Sequence, residues 1–316
     1  MKHGLCVAPM MDWSDRHYRY FMRQINSGAF LYTEMITTGA LLHGDVERHL
    51  AFSEAEHPVG LQLGGSEPDD LAHCAKLGEQ YGYDEINLNI GCPSERVQKG
   101  AFGACLMAEP TLVAECVQAI RESASLPVTV KHRTGIDSVE HYDFLRNFVE
   151  VISKAGCRTF IAHARNAVLK GLSPKENREV PPLKYDYVYR LKRDFPQLEI
   201  VINGGVVAVE QIQAHLRQVD GVMLGRAAYH NPWVLADPGK TRAEVVVKMK
   251  NYLEKQSNPS VRAVARHMLG LYHATPRARL WRRMLSDAQL LKKNDPQLLL
   301  ETLGAVEGAG SIMMAA

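Results

Sequence analysis

Eight short apolar stretches, each ending in small or polar residues, constrain this chain more than any other feature. They are LCVAPM from Leu5, FLYTEM from Phe30, VGLQLGG from Val59, EINLNIGC from Glu85, PVTVKHR from Pro127, TFIAHAR from Thr159, LEIVINGG from Leu198 and GVMLGRA from Gly221. Most of the gaps carry apolar residues every three or four positions, as in DDLAHCAKLGEQYG from Asp69 and PTLVAECVQAIRES from Pro110, which is the period of a helix. Eight strand-then-helix units predict an α/β fold of the (β/α)8 TIM-barrel type rather than an open sheet. No GxGxxG follows the first strand and no GxxxxGK[ST] occurs, which argues against a dinucleotide fold and a P-loop.

After Asp237-Pro238-Gly239 the strand signals stop, and helical patterns take over in TRAEVVVKMKNYLEKQ and DPQLLLETLGAVEGA. The expected organisation is a barrel domain over residues 1–240 and a small C-terminal all-helical domain over 241–316. The 316 residues are 46% hydrophobic, and no apolar run reaches the roughly 18–20 residues that cross a bilayer. The N-terminal stretch lacks the apolar core of a signal peptide, so a cytoplasmic protein is expected. Six cysteines, at positions 6, 74, 92, 105, 116 and 157, form no CxxC pair, and neither a zinc site nor a disulfide framework is expected. A net charge of +2 hides a local asymmetry: six arginines and no acidic residue lie between Pro259 and Ser286.

Barrels of this kind place their chemistry where the C-terminal strand ends converge. Those ends carry Met10 and Asp12, Glu34, Gln62, Asn87, Asn89 and Cys92, Lys131 and Arg133, His163 and Arg165, Asn203-Gly204-Gly205, and Gly225-Arg226. The few carboxylates give little support to paired-carboxylate hydrolysis or to a hard metal, and no metal site is expected. Glycine loops after the seventh and eighth strands suit a phosphate, because glycine lets backbone N–H groups approach closely. Lys131 and His163 taken singly fit an ion-pair residue and a core histidine equally well; with Gln62 they converge on one mouth, which favours a shared ligand. Cys92 stands apart from the other cysteines, since Gly91 and Pro93 frame it in a loop over that mouth. With no activating base beside it, its chemistry is that of a proton donor rather than a thiolate nucleophile.

VAPMMDWSDRHYRYFMRQ, LYTEM, LQLGGSEPDDLA, YDEINLNIGCPSERVQKGAFGACLM, VTVKHRTGID, FIAHARNA, NREVPPLKYD, VINGGV and DGVMLGRAAYHNPW together resemble the successive motifs of the tRNA-dihydrouridine synthases. The likeness spans nearly the whole chain, and NxGCP followed by GA and CL is its most specific part. LLxGDxERHL and the block around NREVPPL are similar to the bacterial A-type branch.

The resemblance implies FMN in the barrel mouth, with NADPH as reductant. Pro9, Met10 and Met11 would border the flavin and Gln62, Lys131 and His163 would contact its rings, while Asn203, Gly204, Gly205, Gly225 and Arg226 would hold the phosphate end. It further implies hydride transfer from flavin N5 to C6 of a uracil turned out of its stack, with Cys92 giving a proton to C5 and Asn89 facing the uracil edge. The targets would be uridines 20 and 20a of the tRNA D-loop, modified by a monomeric enzyme. Lys175, Arg178, Arg279 and Arg282 are the candidate tRNA contacts. A barrel flavoenzyme acting on a free pyrimidine would need the same flavin site but has no use for the C-terminal arginines.

Overall fold

A computed structural model describes residues 3–308 and 310; the outermost positions of both expected domains lie outside that range. The chain forms two compact units, one of residues up to Met11 with Ala29–Gly225, the other of Asp12–Gly28 with residues from Arg226 onward.

The first unit contains strands β1 (Leu5–Val7), β2 (Leu31–Tyr32), β3 (Ile36–Thr37), β4 (Val59–Gly64), β5 (Glu85–Ile90), β6 (Val128–His132), β7 (Thr159–His163), β8 (Glu199–Asn203) and β9 (Gly221–Leu224). Every ladder among them is parallel, in the order β1-β9-β8-β7-β6-β5-β4-β2, with β3 beside the end of β4. The ring closes where Cys6 pairs with Phe30: Val7 N–H donates to the Phe30 carbonyl at 2.9 Å and Phe30 N–H to the Leu5 carbonyl at 2.8 Å. The expected barrel is present.

Of one expected strand, FLYTEM, only Leu31–Tyr32 is paired as a strand, and the pairing with β4 resumes just beyond it at Ile36–Thr37. Tyr32 pairs with Gly60 and Ile36 with Leu63, so four steps on one side match three on the other. The extra residue is a bulge, and it re-aims the Glu34–Met35 segment.

Each parallel strand needs a crossover, and the periodic segments supply it as helices Pro68–Gln80, Pro110–Ser123, Tyr142–Lys154, Tyr185–Asp194 and Val209–Leu216. In Tyr142–Lys154 the buried residues Tyr142, Leu145, Phe148, Val149 and Ile152 fall on one stripe, and His141 caps the start by accepting the Phe144 N–H. Full burial of a side chain such as Phe148 is worth about 1.5–3 kcal/mol. Inside the barrel one side is apolar, with Cys6, Ala8, Phe30, Tyr32, Ile161, Val201 and Met223 packed together and Met10 laid against them.

The second unit is helical: Arg16–Ile25, Arg226–His230, Arg242–Glu254, Val261–Met268, Ala278–Ser286, Ala288–Lys292 and Gln297–Glu307. The expected boundary near residue 240 differs from what is seen. The units part between Gly225 and Arg226, and the helix after β1 joins the C-terminal one. Arg16–Ile25 turns Tyr18, Phe21, Met22 and Ile25 inward, and packs against Arg242–Glu254 and Val261–Met268. Asp15, ahead of that helix, accepts the Tyr18 N–H at 3.0 Å and pairs with Arg266 at 2.7 Å and with the imidazole of His267 at 3.0 Å.

Candidate active site at the barrel mouth

The C-terminal ends of β4, β5 and β6 carry the polar side of the mouth. Gln62 of β4 donates from Nε2 to Asn87 Oδ1 at 2.7 Å and accepts at Oε1 from Asn89 Nδ2 at 2.8 Å. Asn89 Oδ1 in turn accepts the backbone N–H groups of Gly91 and Cys92, at 3.1 and 3.0 Å. The side chain expected to face a uracil therefore shapes the turn under Cys92, and its Nδ2 keeps one further N–H to offer.

Gly91 does less than its position suggests. It is not among the residues with positive φ, and a Cβ there would lie 3.4 Å from the Lys131 carbonyl, an ordinary contact. The turn off β5 is made by the Asn89 side chain. The glycine that matters here is Gly103, at φ 78°, where a Cβ would come within 2.4 Å of Val97 and 2.7 Å of the Cys92 carbonyl. GACL can close against the cysteine loop because position 103 has no side chain, and Ala104 N–H then donates to the Cys92 carbonyl at 2.9 Å.

Cys92 is half-buried, and its thiol donates to Ser94 Oγ at 3.5 Å. The same Ser94 oxygen caps the helix Glu95–Lys99 by accepting the Val97 N–H at 3.4 Å. Ser94 is not among the expected site residues; a serine just before a short helix is an ordinary cap signal, and the thiol contact exists only in three dimensions.

Next to these groups, with Lys131 in register beside Asn89, stands a set of basic side chains. Lys131 is pushed down to about 7, first by burial and then by the charge of Arg133, with Arg178 adding to it and Cys92 working against it. The His163 imidazole is pushed well below its ordinary value by burial and by the charges of Arg133, Lys131, Arg165 and Arg178. Its Nδ1 is buried without a hydrogen-bond partner. Arg133 is itself buried, its pKa lowered to about 10 chiefly by that burial, and donates to the carbonyls of Gly91 at 3.0 Å, Asn166 at 3.3 Å and Asn177 at 2.9 Å. Arg133 thus ties the cysteine loop to the 166–177 segment, a role its place beside a strand end did not announce. Lys175 on that segment and Arg178 just after it are exposed, and buried Asn177 pins the segment by accepting the Val168 N–H at 2.7 Å.

At the other side of the mouth, Asn203 donates from Nδ2 to the Met223 carbonyl at 2.8 Å, tying β8 to β9. Gly204 and Gly205 follow at φ 110° and 74°, and a Cβ on Gly205 would meet Leu183 at 2.6 Å and Tyr185 Oη at 2.8 Å. Tyr185 holds the turn by donating to the Gly204 carbonyl at 2.8 Å. Gly225 is open, with Ala8 and Met10 nearest at 3.7 and 3.9 Å from a Cβ placed on it. Met10 is half-buried and Met11 56% exposed after Pro9.

Arg226, Arg279 and Arg282 belong to the second unit. There the helix Ala278–Ser286 buries Trp281 and Leu285 and exposes Arg279, Arg282 and Arg283. Trp281 Nε1 donates to the Met268 carbonyl at 2.8 Å, and its ring packs 4.6 Å from that of Tyr272. No cluster of three or more His, Cys, Asp or Glu able to hold a metal occurs among the described residues, and no helix among them is long and apolar enough to cross a membrane.

A ring of parallel strands, polar groups at their C-terminal ends and a cysteine loop beside buried cations together define a (β/α)8-barrel enzyme with its chemistry at the mouth. Residues 6–306 match the family described as Dihydrouridine synthase (Dus). The chain belongs to that family. It is 53% identical to the tRNA-dihydrouridine(20/20a) synthase of Synechocystis sp., over 98% of this chain and 96% of the relative. The proteins of the same name from Shewanella oneidensis and Vibrio cholerae are 55% and 54% identical, over 89% and 90% of this chain and 87% and 90% of theirs. Among solved structures, 2-naphthoyl-CoA reductase superposes with a TM-score of 0.55 at 10% identity, covering 73% of this chain and 49% of that one. Morphinone reductase superposes at 0.54 and 12% identity, covering 73% and 84%. At such identities the likeness is one of fold.

Proposed function

We propose that this protein is a tRNA-dihydrouridine(20/20a) synthase, reducing the C5–C6 double bond of D-loop uridines 20 and 20a with FMN as cofactor and NADPH as reductant. The observation that carries the reading is the juxtaposition of a half-buried Cys92 with a mouth lined by Gln62, Lys131 and His163, in a chain 53% identical end to end to a protein so named.

The residues fit an FMN. His163 has a buried ring nitrogen in want of a partner, and Lys131 sits among positive charges that a flavin able to become anionic would relieve. Gly204 and Gly205, at φ 110° and 74°, are proposed to bring backbone N–H groups close to a phosphate, and Pro9, Met10 and Met11 to form an apolar edge. When bound and reduced, the flavin supplies the hydride for C6 of the uracil.

Cys92 supplies the proton. Negative charge builds toward C5 as the ring is reduced, and a thiol held at the mouth protonates that carbon, a general-acid contribution of about 10²–10⁴ in rate. Ser94, at 3.5 Å, holds the thiol's direction and can turn its own hydroxyl toward the sulfur once the proton has left. Asn89 meets the uracil edge through its remaining N–H. The uridine reaches this site by leaving its stack, and Lys175, Arg178, Arg279 and Arg282 are proposed to hold the surrounding tRNA phosphates. The enzyme is proposed to act as a monomer in the cytoplasm.

The test is spectroscopic. The flavin-loaded protein should bleach on adding NADPH without oxygen, and tRNA lacking dihydrouridine should restore the oxidised spectrum much faster than free uridine. Equal rates with both would remove tRNA as the substrate.

A further inference from the structure

Strand β5 is unlike a strand from the middle of a barrel. Its alternate residues Glu85, Asn87 and Asn89 share one face, where barrel interiors ordinarily stack branched apolar side chains. Gln62 on β4 and Thr129 on β6 flank Asn87 in register. Gln62, Glu85, Asn87 and Thr129 are each at most 1% exposed, so every polar atom among them needs a partner from the protein.

The bonds between them run one way. At the floor, the Glu85 carboxylate can only accept, and it takes the hydroxyls of Thr129 at 2.5 Å and Tyr32 at 2.9 Å. With its proton committed, Thr129 Oγ1 accepts from Asn87 Nδ2 at 2.7 Å. Asn87 then presents Oδ1 to Gln62 Nε2 at 2.7 Å, and Gln62 presents Oε1 to Asn89 Nδ2 at 2.8 Å. Asn89 is left with Oδ1 facing the two backbone N–H groups of Gly91 and Cys92. Those N–H groups demand an acceptor just as the carboxylate demands a donor, so both ends impose the same orientation on every amide between them. On its other side Glu85 Oε2 meets His3 Nε2 at 2.6 Å, while His3 Nδ1 meets Glu199 Oε2 at 2.8 Å. A ring with a carboxylate on each nitrogen carries both protons.

We infer that Glu85, on the barrel floor, is a positioning residue for Cys92 at the mouth, acting through Thr129, Asn87, Gln62 and Asn89. The chain locks the backbone turn that carries the thiol. It also decides what the mouth offers, since each of Gln62 and Asn89 has its carbonyl engaged and one N–H left. The pair therefore suits a ligand's carbonyl oxygens and rejects an amino group at the same place.

The inference rests on the flavin and tRNA reading above, so wild-type protein is the first control: if NADPH and tRNA do not cycle its flavin, that reading fails and the chain is judged by Cys92 alone. Thr129→Val keeps the shape of the side chain but leaves Glu85 without that donor and Asn87 Nδ2 without an acceptor, so that the amides are held from one end instead of two. Thr129→Ser restores both bonds. The Val variant should reoxidise reduced flavin with tRNA about tenfold to a hundredfold more slowly at saturating tRNA, with the tRNA concentration for half-saturation unchanged. In the absence of tRNA its Cys92 should react with iodoacetamide at an altered rate, and Ser should recover both wild-type values. Unaltered alkylation and turnover in the Val variant, or failure of Ser to restore them, overturns the proposal. Should the Val variant not fold, hydrogen exchange on the wild-type protein decides. Slow exchange of the Gly91 and Cys92 amides is expected, and exchange at the rate of an open loop contradicts the lock.

Discussion

His3 Nε2 and Glu85 Oε2 lie 2.6 Å apart on the floor of the barrel, with both side chains buried. Burial alone disfavours the imidazolium, but the hydrogen bonds and charges of Glu199 and Glu85 outweigh it and raise the His3 pKa to about 9. The same contacts lower Glu199 to about 2 against its own partial burial.

A pH dependence of stability follows from these two shifts. The His3 contribution is fully present below about pH 6.5 and is lost as the pH rises through about 9; that of Glu199 is present above about 4.5 and is lost as the pH falls through about 2. His3→Gln leaves Glu85 without its charged partner, and breaking such a buried pair costs about 3–5 kcal/mol. Glu199 is partly exposed, which places the expected loss at the lower end. Thermal unfolding from pH 6 to 10 should show the Tm advantage of the wild type over the variant shrinking as the pH rises, Lys131 being common to both; parallel curves would contradict the linkage.

Lys131 acts with the opposite sign. Its folded-state pKa is lowered from 10.5 to about 7, so between those values the unfolded chain binds a proton that the folded one does not. Stability gains from this residue as pH rises through that window, and below it the folded state carries the cost of a charge held partly out of water beside Arg133. Lys131→Met should raise the Tm of the flavin-free protein at pH 7 more than at pH 10, while weakening FMN binding. A titration of FMN into both proteins by fluorescence quenching checks the second half, and equal affinities would remove Lys131 from the flavin site.

Cys92→Ala should keep FMN bound and still be bleached by NADPH, since Gln62, Lys131 and His163 are untouched. Dihydrouridine formation should fall by about 10²–10⁴. Nucleoside analysis of treated tRNA measures this directly, and wild-type yield from the variant would transfer the proton-donor role elsewhere.

Much of this was legible in the sequence, for identifiable reasons. Strands and crossover helices announced themselves because a buried parallel strand must be an apolar run and a covering helix must carry one apolar stripe. The bulge between Tyr32 and Ile36 did not, since an unbroken apolar stretch reads as one strand whatever its partner's length. Arg16–Ile25 showed its buried stripe, but a stripe does not say which unit it will face. At the mouth, Gln62, Lys131 and His163 were found by residue type and strand end. The tasks of Asn89, Ser94, Gly103 and Arg133 depend on partners far along the chain or on clearance from a neighbouring loop, and spacing carries neither.

Arg279 and Arg282 are exposed on a helix anchored by buried Trp281, so Arg279→Glu with Arg282→Glu should leave folding intact. Binding of tRNA should weaken, and the slope of log affinity against log salt should shrink by about 0.7–0.9 for each phosphate that is no longer neutralised. Filter binding across a salt series measures both. An unchanged slope would return these arginines to a solvated helix face.

The most direct measurement is position-resolved mapping of dihydrouridine in unmodified tRNA incubated with the purified protein, FMN and NADPH. The account predicts dihydrouridine at positions 20 and 20a, appearing only with all three present and Cys92 intact. Conversion of free uridine with the D-loop left unmodified would contradict it.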